Sequence, residues 1–283
     1  MCDLNDQEEL KKYTRRDFGA FAASAASAGF LSALPAVANA ATVAEREVNI
    51  LTPDGNCDAY FVAPTSGPAP GVIVWPDIFG LRPAFRQMGK RLAESGYSVL
   101  VVNPFYRQKK APTAAQGGQT PIAEVMPLMQ ALTPATHLTD GKAFTAWMDA
   151  QSEVDKKRKL GTTGYCMGGP IAIRTAVAAP ARVGAVATFH GAALVTAAPD
   201  SPHRLVAQTH ASYLTAIAEN DDKKDPEAKT ALSAAFDAAK LPAEVEVYPA
   251  AHGWCPPDSR VYDATQAERA WARLLATFNK ALA

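Results

Sequence analysis

The sequence predicts an α/β fold with a mostly parallel central sheet and helices on both of its faces. Three observations predict it. Short β-rich runs alternate with segments of helical spacing from about residue 48 to the end of the chain. The runs Gly71–Trp75 and Ser98–Val102 are apolar throughout, as in strands covered on both sides. A composition of 48% hydrophobic and 20% charged residues over 283 positions supplies enough apolar material for one sizeable core.

The elements follow in order. Val48–Leu51 and Asp58–Val62 flank the turn-rich Pro53–Asn56 and open the fold as an antiparallel pair. After the strand Gly71–Trp75, helical spacing runs from Ala84 to Ser95, where Gly96 stops it, and Ser98–Val102 is the next strand. The stretch 104–136, rich in Pro, Gly, Gln and Ala, reads as a long surface excursion with one helix and as a candidate lid. A helix over Leu138–Ser152, a strand over Lys159–Tyr165 and a small-residue helix over Gly169–Ala179 come next. Strands at Val183–Phe189, Tyr213–Ala218 and Val245–Tyr248 complete the sheet, with helices over Pro226–Ala239 and Asp263–Ala281. No internal repeat or second domain is visible.

The first forty residues stand apart from this pattern. Thr14-Arg15-Arg16-Asp17-Phe18 is a twin-arginine pattern, the apolar run Gly19–Leu34 follows, and Ala38-Asn39-Ala40 is an A-x-A cleavage site. That order predicts a signal cleaved after Ala40, recognition by the twin-arginine export machinery and a periplasmic protein. The run is broken by Ser and Gly, which makes it a poor permanent span, and nothing else in the chain could cross a bilayer. Removing 40 of 283 residues leaves 243, the size of one domain, with 24 basic against 23 acidic residues. Such neutrality excludes a duplex nucleic-acid partner, which needs a concentrated basic face; the run Lys156–Lys159 is a solvated lead-in to the next strand. Cys2 leaves with the leader. Cys57, Cys166 and Cys255 remain, an odd number, so at least one thiol stays unpaired in a monomer.

The chemistry lies at the ends of three strands. Gly164-Tyr165-Cys166-Met167-Gly168 follows a strand and precedes a helix, the G-x-Nu-x-G elbow with Cys as nucleophile. Glycine on both flanks lets neighbouring backbone approach the sharp turn, and the helix aims its N-terminal N–H groups and dipole at the sulfur, favouring thiolate and oxyanion alike. An elbow needs an acid and then a base further along the chain. The strand at Tyr213–Ala218 ends in Glu219-Asn220-Asp221-Asp222, and the strand at Val245–Tyr248 ends in Pro249-Ala250-Ala251-His252-Gly253. His252 is the candidate base. Asp221 is the preferred orienting acid, with Asp222 as the alternative or as a cap of the helix that follows. His190 ends a strand and could line the pocket; His137, His203 and His210 read as surface residues. No metal-ligand spacing is present, and the reading calls for no cofactor.

These residues resemble the dienelactone hydrolase family of the α/β-hydrolase superfamily over nearly the whole chain after the leader. G-Y-C-M-G-G, the N-D-D after its strand and A-H-G-W stand where that family carries Cys, Asp and His, and Val74–Leu81, Gly96-Tyr97 and Asn103–Tyr106 match further segments. The resemblance implies an α/β-hydrolase fold, hydrolysis of a small carboxylic ester or lactone through a thioester acyl-enzyme, an oxyanion hole from the N–H groups of Ile78 and Met167, and a thiol-activating acid at Asp77. The chain departs from the pattern in two places. Asp77 stands where the family has Glu. No Arg follows the base closely: the sequence reads Gly253-Trp254-Cys255-Pro256-Pro257, leaving Arg82 and Arg107 as candidate anchors for a substrate carboxylate. Two rival readings are a thiol-redox protein pairing Cys166 with Cys57 or Cys255, and a catalytically silent binding module on the same scaffold.

Overall fold

A computed structural model describes residues 34–283. The twin-arginine pattern, nearly all of the apolar run and Cys2 lie outside the described residues. Ala38-Asn39-Ala40 lies within them, exposed, at a turn just before the first strand.

Among the described residues eight strands form one sheet: β1 (Val43–Thr52), β2 (Gly55–Pro64), β3 (Gly71–Trp75), β4 (Ser98–Val102), β5 (Leu160–Tyr165), β6 (Val183–Phe189), β7 (Ser212–Ala218) and β8 (Ala243–Tyr248). Their spatial order is β1-β2-β4-β3-β5-β6-β7-β8. β1 and β2 pair antiparallel, β2 runs antiparallel to β4, and every later pairing is parallel. This mixed, mostly parallel sheet is the one expected. The opening hairpin is tighter than the sequence suggests: Thr52 pairs with Gly55, so only Pro53 and Asp54 form the turn.

The helices are α1 (Pro83–Glu94), α2 (Ile122–Gln130), α3 (Pro134–Ala150), α4 (Gly168–Ala178), the single turn α5 (Pro202–Leu205), α6 (Glu219–Lys224), α7 (Ala228–Ala238) and α8 (Ala264–Ala281). Alternation along the strands explains how both sheet faces are buried. Val72, Val74, Val99 and Val101 face Phe85, Met88 and Leu92 of α1 and Leu274 and Phe278 of α8. On the other face, Trp75 packs on Phe144 and Phe61 on Trp147 of α3, and Tyr213 on Phe236 of α7. The helix expected over Pro226–Ala239 is α7, and a short helix that the sequence did not announce, α6, precedes it, the two parted at Asp225 and Pro226.

The excursion between β4 and α3 carries one helix, as expected, and is tied down at several points. Thr113 Oγ1 donates to the Phe79 carbonyl (2.7 Å), Ala111 N–H to Asp58 (2.7 Å) and Gly117 N–H to Asp258 (2.7 Å), while Arg260 donates to the Gly118 carbonyl. Among the described residues no helix is long and apolar enough to cross a membrane.

Candidate active site

The turn after β5 has the strain that its sequence announced. Cys166 takes a φ of +51°, left-handed, and α4 begins two residues later. Three backbone bonds hold it there: Cys166 N–H donates to the Phe189 carbonyl (3.0 Å), and its own carbonyl accepts from Gly169 (3.0 Å) and Ala192 (3.1 Å). The flanking glycines are obligatory for steric reasons. A Cβ on Gly164 would stand 2.0 Å from the Gly168 carbonyl oxygen, and one on Gly168 would stand 2.2 Å from that of Trp75. The elbow is thus pressed against the start of the loop after β3, which carries Ile78. Cys166, Met167 and Ile78 are all buried.

His252 follows β8 and meets the acid that the sequence preferred. Its Nδ1 lies 2.6 Å from Asp221 Oδ2. A carboxylate only accepts, so Nδ1 carries the proton and Nε2 is left as the basic nitrogen. Asn220 Oδ1 accepts from the His252 backbone N–H at 2.8 Å and sets the height of the loop. Asp222 is turned away: it pairs with Lys229 of α7 (2.8 Å) rather than capping that helix. The carboxyl ends of β5, β7 and β8 therefore present the thiol turn, the acid and the imidazole along one sheet edge.

Asp77 is held differently from a free thiol-activating group. Both of its oxygens are taken by Arg82, at 2.6 and 2.9 Å, and Oδ1 also accepts from Phe79 N–H at 2.9 Å. Arg82 is fully buried, and its other edge binds both oxygens of Asp258 at 2.7 and 2.9 Å. Any service Asp77 gives the thiol is delivered with this ion pair in place. The same bonds correct the expectation that Arg82 or Arg107 anchors a substrate carboxylate. Arg82 is matched by two acids, and Arg107 by Asp54 (2.6 Å) and Asp140 (2.7 Å), so neither guanidinium has charge left to offer.

The remaining histidines and thiols sort by burial. His190 is fully buried beside His252, and Trp254, which the sequence did not single out, is fully buried behind it. His137 is not a surface residue: it is half-buried near Arg174, and burial, then that guanidinium, push it down to about 3. His203 is half-buried and hydrogen-bonded to Ser201 (2.8 Å); His210 is exposed, as expected. Among the described residues Cys57, Cys166 and Cys255 are all reduced, with no disulfide between them. Burial pushes the Cys57 and Cys255 thiols far up, which keeps both inert. Asn220, Trp254 and Asp258 acquire their places only through contacts between loops distant in sequence.

A mostly parallel sheet of this order, with a left-handed strand-to-helix turn at Cys166 and a histidine–aspartate pair at its carboxyl edge, is the architecture of an α/β-hydrolase. The dienelactone hydrolase family profile matches residues 57–282, and the chain belongs to that family of hydrolases. A Methylorubrum extorquens protein named "Putative carboxymethylenebutenolidase" is 29% identical over 266 residues, covering 89% of each chain. One of the same name from Escherichia coli is 28% identical over 235 residues, 80% of this chain and 83% of that protein. The crystal structure titled "Putative Dienelactone Hydrolase" from Klebsiella pneumoniae superposes with a TM-score of 0.74 at 26% identity, covering 84% of this chain and 99% of that one.

Proposed function

We propose that the chain hydrolyses carboxylic esters or lactones through a Cys166–His252–Asp221 triad and a thioester acyl-enzyme. The observation that carries the reading is the 2.6 Å bond between Asp221 and His252, on the sheet edge where Cys166 occupies its left-handed turn. In the proposed route, Nε2 of His252 takes the Cys166 proton and the sulfur attacks the acyl carbon. The carbonyl oxygen becomes an oxyanion held by the Ile78 and Met167 N–H groups, which is supported by the contact between Gly168 and the backbone leading to Ile78. Collapse expels the alcohol oxygen, which receives the proton from the imidazolium. Water, deprotonated by His252, then attacks the thioester and frees the acid and the thiol. In a lactone the expelled alcohol stays on the acyl chain, and the second step frees a single hydroxy acid.

The relatives named carboxymethylenebutenolidase support a lactone or ester substrate. The route uses no metal or cofactor. Asp77 serves best as the acid that, clasped by Arg82, stiffens the loop bearing Ile78. With Arg82 and Arg107 each matched by two acids, we propose an ester or lactone bound without a guanidinium grip on a carboxylate.

We also propose export through the twin-arginine route and cleavage after Ala40; the exposed turn at Ala38–Ala40 supports access by a peptidase. Replacing Arg15 and Arg16 by Lys should retain the uncleaved chain in the cytoplasm; unchanged periplasmic yield would refute it.

The experiment for the main reading is Cys166→Ala with an activated ester. Hydrolysis and the initial burst should both vanish. Retained turnover would refute the triad, and a wild-type protein without turnover on any ester, lactone or thioester would favour the silent binding module.

A further inference from the structure

The end of β6 carries a histidine that the proposed reaction does not use. His190 is fully buried, and neither of its ring nitrogens has a hydrogen-bond partner among the described residues. Its φ is +40°, in the left-handed region. An unsatisfied buried imidazole and a left-handed backbone each cost stability, so packing alone does not account for the residue. Its surroundings do. The ring meets His252 edge to face with centroids 5.1 Å apart and Trp254 in the same manner at 5.0 Å, and Tyr165 lies at 6.1 Å. Trp254 in turn stacks on Tyr248 at 5.3 Å. One flank of His252 therefore faces a dry wall of rings.

We propose that His190 is a positioning residue, an uncharged ring that excludes water from one side of His252 and so favours the proton-accepting form the thiol attack requires. The inference rests on the triad reading above. Burial, and then the nearness of His252, push His190 well below its ordinary value, so it presents a neutral face throughout the working range. Water at that flank would solvate the imidazolium; neutral rings do not. Charged and titratable side chains flank His252. Asp221 at the end of β7 draws it toward the imidazolium, and the Cys166 thiol stands at the end of β5. The Asp77–Arg82 pair after β3 is closed on itself, and Trp254 on the His252 loop carries no charge. The dry wall opposes the pull of Asp221. Histidine suits the position because it tolerates a left-handed backbone better than other ring side chains do.

The test follows the His252 ring C–H resonance by NMR across pH in the full chain with Cys166→Ala, which removes the thiol's own titration; the resonance is assigned by its loss in His252→Gln. His190→Asn keeps a residue that tolerates the left-handed turn but opens the flank to water. The His252 midpoint should rise by about half a pH unit or more. His190→Phe keeps the dry wall and should leave the midpoint within about 0.2 unit of the parent. Should the Asn variant fail to fold, His190→Ser is read in the same way. No rise on opening the flank, or an equal rise with Phe, overturns the proposal. Because the readout needs no turnover, a triad that fails the Cys166→Ala activity test is distinguished from a wall that fails this one.

Discussion

Substituting Gly168 by Ala tests whether the elbow and the oxyanion loop form one rigid unit. The new Cβ would meet three backbone atoms: the Trp75 carbonyl oxygen at 2.2 Å, the Pro76 carbonyl oxygen at 2.7 Å and the Trp75 carbonyl carbon at 2.8 Å. No side-chain rotation relieves a clash with main chain. Restoring even a 3.0 Å contact requires the two segments to part by about 0.8 Å. Met167 rides on one segment and Ile78 on the other, so the two proposed oxyanion donors separate by that amount. A misplacement of this size costs about 100-fold in rate. Overpacking adds about 1–3 kcal/mol of lost stability, or roughly 2–12 °C in the unfolding midpoint. Steady-state hydrolysis of p-nitrophenyl acetate, well below that midpoint, should show kcat and kcat/KM falling together, because the contact is made in the transition state. A folded Gly168→Ala protein with the wild-type kcat would refute the reasoning.

Asp221→Asn should lower kcat by about 10²- to 10⁴-fold, since the amide no longer enforces the Nδ1–H tautomer; Asp222→Asn, which loses only the partly exposed pair with Lys229, should stay within about threefold. Equal losses in the two variants would dismiss the assignment of Asp221. Alkylation of the native protein at mildly alkaline pH, mapped by peptide mass, should modify Cys166 well before Cys57 and Cys255, whose thiols burial pushes far up; early labelling of Cys255 would contradict it. His137 sits at about 3 in the folded state against an ordinary value of 6.5. The unfolded chain therefore binds the extra proton first as the pH falls, so stability is intact above about 6.5 and declines between there and about 3. At pH 5 His137→Gln should lack about 1–2 kcal/mol of the acid-induced loss seen in the parent. Parallel stability curves for the two proteins over that interval would show that His137 is solvated.

Local pattern made much of this protein legible. Continuous apolar runs marked β3 and β4, because a strand buried on both faces has no polar positions to alternate. Gly164 and Gly168 marked the elbow, because close backbone approach leaves no room for a side chain there. The order of Cys166, Asp221 and His252 followed the succession of parallel strands, whose carboxyl ends all point the same way. Each of these signals is carried by residues within a few positions of one another.

What escaped the sequence depends on partners supplied from far along the chain. Asp221 and Asp222 are adjacent carboxylates of equal chemistry; the rotation of about 100° between neighbouring positions of α6 sends one to His252 and the other to Lys229. Arg82 looked available in the sequence, yet Asp77 nearby and Asp258, 176 residues away, both close on it. His190 read as a strand-end residue that could line the pocket, but only the pairing of strands brought its ring against His252. The sequence by itself determined which chemical groups this protein possesses and which strand ends present them. Only the tertiary structure decided which charges are already neutralised and which rings are dry, because neutralisation and desolvation arise from contacts between segments that local pattern does not encode.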